Sequence, residues 1–92
     1  MRRNGRILTA KYMYTGKEFT FHVDRLFAIE RDMKDPREGS EDVWPCVLVL
    51  KVAQSEKVTF IAVDEDPLEC ERAWADADQC VLISAIDDDK PF

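Results

Sequence analysis

The sequence predicts an α+β domain. It should form a small, strongly bent antiparallel sheet or partial barrel of five to six strands with one short helix, in the order β-β-β-β-β-α-β. Three observations carry this. Ile7–Tyr14 and Phe19–Asp24 alternate between apolar and polar residues around the turn Thr15-Gly16-Lys17, as a hairpin does. Val47-Leu48-Val49-Leu50 and Phe60-Ile61-Ala62-Val63 are apolar at consecutive positions, as in strands covered on both faces. Asp66-Pro67-Leu68-Glu69 has the signature of a helix start.

The elements follow in order. In the first strand Leu8, Ala10, Tyr12 and Tyr14 share a face, and in the second Phe19, Phe21 and Val23 do. Arg25–Met33 contains Leu26-Phe27-Ala28-Ile29 followed by charges of alternating sign. The Phe27/Ile29 alternation and the β-rich surroundings favour a third strand over a helical turn. Residues 34–42 hold Pro36 and Gly39 among polar and charged side chains and read as a mobile loop. Trp44-Pro45 leads into a hairpin of Cys46–Ala53 and Val58–Val63. One face of that hairpin needs the helix as cover. The other needs the rest of a curled sheet, or a second subunit.

At the helix start Asp66 can accept an orphan backbone N–H, Pro67 has no N–H to lose, and Glu69 can reach back to the cap. Cys70, Ala73, Trp74 and Ala77 then fall on one face, which predicts a helix over about Pro67–Ala77. Cys80–Ile86 reads as a closing strand. The 92 residues form one domain, with 1–5 and 87–92 frayed.

Charge narrows the function. The chain is −6 overall, but residues 1–25 carry six basic groups against two acids and the remainder carries seven against 17. An acidic body repels phosphate, so neither nucleic acid nor an anionic membrane surface is an expected partner. No apolar run approaches the roughly 20 residues of a membrane span, and no signal-peptide pattern is present. The three cysteines, Cys46, Cys70 and Cys80, are odd in number and lack C-x-x-C spacing. This suits inert thiols in a reducing cytoplasm better than a disulfide framework.

Chemical motifs are sparse. Asp64-Glu65-Asp66 is better explained as helix capping than as a cation loop, because Pro67 follows at once. One histidine and three scattered cysteines do not suggest zinc. His22 with Asp24 on its own side could serve Cys46 or Cys80 in a cysteine enzyme, but an exposed strand histidine is the plainer account. No glycine-rich phosphate loop occurs. No catalytic residue, metal or cofactor is therefore assigned.

The arrangement resembles the short flagellar-operon FlbD-type proteins of bacteria. The resemblance rests on Leu8-Thr9, Thr15-Gly16-Lys17-Glu18-Phe19, Leu26 with Ile29-Glu30, Val47-Leu48-Val49-Leu50 and Val63-Asp64-Glu65 before a helix, over residues 7–77. It implies a small non-enzymatic accessory protein with no catalytic residues to carry over. The expected function is protein binding or self-association, as a homodimer or with a protein partner. The interface candidates are Trp44, Val47, Val49 and Ile61. The alternative is a small-ligand module using a sheet face lined by Tyr12, Tyr14, Phe21 and Phe60.

Overall fold

The computed structural model describes residues 1–88, with side chains as far as Cys80. It contains two three-stranded antiparallel sheets and one helix. The first sheet holds β1 (Arg2–Asn4), β2 (Ile7–Lys11) and β3 (Glu18–His22) in sequence order. The second holds β4 (Leu26–Lys34), β5 (Val43–Lys51) and β6 (Val58–Ala62), with β5 central. The helix α1 spans Pro67–Asp88.

The predicted β2–β3 hairpin forms with Leu8 opposite Phe21 and Ala10 opposite Phe19, but β2 ends at Lys11 rather than Tyr14, and Met13 and Tyr14 lie in the connection. Residues 1–5, read as frayed, instead supply β1. Gly5, at φ +62°, opens the two-residue connection to β2, where any other residue would be strained. A 3-10 turn, Val23–Arg25, then swings the chain into β4. A bulge at Phe27 separates the Leu26–Leu50 and Ala28–Val49 pairs, an irregularity that bends a strand locally.

The two sheets meet at one seam and do not close into a barrel. The Val63 amide extends the β5–β6 ladder to the Cys46 carbonyl (3.0 Å), and across the seam the Asp64 amide donates to the Lys11 carbonyl (2.9 Å). Tyr12 bridges Val63, and the Met13 amide donates to the Ala62 carbonyl (3.0 Å). The main core lies between the sheets and α1. Leu8, Phe21, Leu26, Cys46, Leu48, Leu50 and Val63 pack there with Cys70 and Ala77, and Ala73 and Trp74 lie half-buried against them. The helix face read from the sequence is the face that docks.

The closing strand expected over Cys80–Ile86 is not present, because α1 continues through those residues. Val81-Leu82-Ile83 has the composition of a strand, but neither glycine nor proline lies between Ala77 and Asp88 to stop the helix. Asp87 and Asp88 belong to α1, and the remainder of the tail lies outside the described residues. At the helix start the Leu68 amide donates to Asp66 Oδ1 (3.0 Å), so Asp66 is the cap. Glu65 does not cap. Its carboxylate pairs with the Met1 amino group and accepts the Lys11 amide (3.0 Å), fastening β1 and β2 at the seam.

Candidate functional site

Both faces of β5 are buried, as its apolar run requires, and the chain itself supplies the second cover. Val47 packs with Trp44, Ala62, Met13 and Met33 in a small separate cluster. Strict alternation would put Trp44 and Met33 on the main-core side with Cys46. Between the Arg31–Cys46 and Met33–Trp44 pairs, however, Asp32 takes φ +52°, and both side chains join the Val47 cluster. This cluster encloses Val47, and Val49 is likewise buried, so neither can reach a partner in this fold. Trp44 is 8 % exposed, and Ile61 is half-buried.

What the fold leaves open lies beside β6. Tyr12, Met13, Tyr14 and Thr15 form one wall of a shallow groove of about 320 Å3, and Trp44, Phe60, Ile61 and Ala62 form the other. Phe60 is 45 % exposed. Three of the four aromatics proposed for a ligand face (Tyr12, Tyr14 and Phe60) line this groove. The fourth, Phe21, is buried in the core.

One end of the groove is fixed by a polar network. Trp44 Nε1 donates to the Tyr14 hydroxyl (2.8 Å), and Arg37 Nη2 donates to the same oxygen (3.0 Å). The guanidinium also stands 5.1 Å over the Tyr14 ring, within range of a cation–π contact. Arg37 is held in turn by Asp35, which receives Nε at 2.8 Å and the Arg37 amide at 2.9 Å, and by which the Ser40 hydroxyl is also bound (3.0 Å). Asp35 is 3 % exposed. Its hydrogen bonds from Arg37 lower its pKa from 3.8 to about 2. The polar loop at 34–42 thus acts as a brace between the two sheets. Sequence reasoning missed Arg37 because a loop of mixed charge carries no periodic signal.

The residues considered for chemistry are used structurally. The His22 ring nitrogen Nδ1 accepts the Asp24 amide (3.2 Å) and caps the 3-10 turn. Cys46 and Cys70 are buried with their sulfurs 3.9 Å apart. The contact with Cys46 and the burial both push the Cys70 thiol up. Among the described residues no three His, Cys, Asp or Glu side chains converge as metal ligands, and no helix is long and apolar enough to cross a membrane.

Fold and site together define a small α+β domain with a braced aromatic groove at an open sheet edge. No protein-family model, curated protein or solved structure was found to match the chain.

Proposed function

We propose that this chain is a non-enzymatic accessory protein that works by protein association through the open edge of β6 and its groove. One observation carries the reading. An unpaired strand edge is a template for pairing, and proteins usually guard it with charge, bulges or proline. β1 carries Arg2 and Arg3, β3 carries Glu18, and β4 carries a bulge at Phe27 and charges at Glu30, Arg31, Asp32 and Lys34. β6, Val-Thr-Phe-Ile-Ala, carries no charge, proline or bulge, and it exposes Phe60 beside an apolar groove. A small non-enzymatic accessory role, as the FlbD-type resemblance implies, is compatible with such an edge.

The test pairs light scattering with binding of an environment-sensitive apolar dye, using wild type and Phe60→Lys. The reading expects either self-association or dye binding, weakened at least several-fold by the new charge. A monomer whose dye binding ignores Phe60→Lys would refute it. A second reading, a small-ligand module, draws on the groove's volume, which lies at the low end of the roughly 300–1,000 Å3 typical of ligand sites. Its test is thermal stabilisation by an apolar compound that is lost in Phe60→Lys.

A further inference from the structure

The Tyr14 hydroxyl says what kind of occupant the groove takes. A phenol oxygen accepts through its lone pairs and donates its single hydrogen. Here Trp44 Nε1 and Arg37 Nη2 both donate into that oxygen. The hydroxyl hydrogen is left over, and among the described residues it has no acceptor. Two incoming donors polarise the O–H and make it a better donor. Tyr14 is 56 % exposed and lines the groove, so an apolar cleft carries at its end one donor that the described residues leave unused.

Charge narrows the acceptor. Residues 34–42 carry Asp35, Glu38, Glu41 and Asp42 against Lys34 and Arg37, and Arg37, the cation on the Tyr14 hydroxyl, is already engaged by Asp35, so the loop stays net acidic. A carboxylate or phosphate would enter an acidic neighbourhood on a chain of net charge −6. A neutral amide carbonyl meets the donor without that repulsion, and a cationic neighbour would be attracted.

The edge itself narrows the occupant further. Tyr12 and Met13 already pair at Ala62 and Val63, so the open edge runs only over Val58–Ile61. A second copy pairing antiparallel there would carry its own residues 56–57 into the space held by Tyr12 and Met13. A short extended segment avoids that collision.

Resting on the association reading above, we propose that β6 takes an extended peptide segment of another protein. Its backbone pairs with Val58–Ile61, and one apolar side chain fills the groove. A backbone carbonyl accepts the Tyr14 hydroxyl hydrogen, and a basic residue faces the 34–42 loop. This is strand addition at a sheet edge with a side-chain pocket for selection.

The test is an NMR titration of the full-length chain with the blocked peptide Ac-Val-Phe-Val-Lys-NH2. The indole N–H of Trp44 reports the groove, and that of Trp74, on the helix, is the internal control. Saturable shifts are expected at the Trp44 indole and at the Thr59–Ile61 amides, with the Trp74 indole still. Replacing the peptide's Lys by Glu, or its second Val by Pro, should weaken binding. Tyr14→Phe should weaken it about 2- to 10-fold, the value of one hydrogen bond. Absence of saturation at millimolar peptide, or binding indifferent to both peptide changes, overturns the proposal. If the chain then still self-associates in a Phe60-dependent way, the association reading stands without it. If it does neither, both fall.

Discussion

Tyr14→Phe removes one oxygen and leaves the ring in place, so it isolates the brace that holds the groove. The hydroxyl accepts from Trp44 Nε1 at 2.8 Å and from Arg37 Nη2 at 3.0 Å. Arg37 is exposed and can turn to water, so that bond contributes little. Trp44 is nearly buried, so its indole N–H is left short of an acceptor, a loss of about 1–3 kcal/mol when water is excluded. Tyr14 is open to solvent and water can partly replace its oxygen, which places the total near 1–2 kcal/mol. For a domain of this size that lowers Tm by about 5–12 °C. Urea unfolding and thermal melts of Tyr14→Phe and Tyr12→Phe give the comparison. The Tyr12 ring stacks on Phe19 at 4.3 Å, and its hydroxyl has no hydrogen bond among the described residues. Its removal should stay within about 0.5 kcal/mol of wild type. A double-mutant cycle with Trp44→Phe should show a coupling of about 1 kcal/mol. Equal stability of the two tyrosine variants, or zero coupling, would refute the brace.

Three further outcomes follow from the geometry. Asp66→Ala removes the acceptor of the Leu68 amide and should cost about 0.5–2 kcal/mol in denaturant unfolding. In the native state a thiol reagent should label Cys80 quickly and Cys46 and Cys70 slowly, with all three reacting in denaturant; equal native rates would contradict the buried sulfur pair. The Asp35 pKa is lowered in the folded chain, from 3.8 to about 2, so as pH falls the unfolded chain takes up this proton first. The stability Asp35 contributes is therefore complete above about pH 4 and drains away as pH falls toward 2. The gap in Tm between wild type and Asp35→Asn should be widest at neutral pH and narrow across that window. A gap that does not change with pH would show that the carboxylate charge is not what holds Arg37.

Much of the fold was legible because its signals are local. The Gly16 turn, the alternation around Phe19 and Phe21, and the Asp66-Pro67 start each identify their own element. The stripe of Cys70, Ala73, Trp74 and Ala77 identified its docking face as well. What failed needed long-range or negative information. Cys80–Ile86 was misread as a strand because β-branched residues compete with helix continuation, and no breaker between Ala77 and Asp88 decides it. Two-sided burial was expected of the whole hairpin; it holds for β5, where Val47 and Val49 are buried, and fails for the edge strand β6, where Phe60 is 45 % exposed. A repeat of apolar residues cannot say whether the cover over Val47 comes from Met13 and Met33 or from another molecule. The site was half legible. Tyr12, Tyr14 and Phe60 were grouped from their aromatic character. Arg37 and Asp35 were invisible, since their role arises where a loop closes on a hairpin some 20 residues away in sequence.

The openness of β6 underlies both the association reading and the peptide proposal, and residue-resolved amide hydrogen exchange measures it directly. In an antiparallel edge strand alternate amides bond to the neighbour and the others face out. Along Val58–Ile61 the account predicts slow and fast exchange in alternation, with the Met13 amide protected by the Ala62 carbonyl. Uniform slow exchange along β6 in the isolated chain would mean that the edge is already covered, and would contradict it.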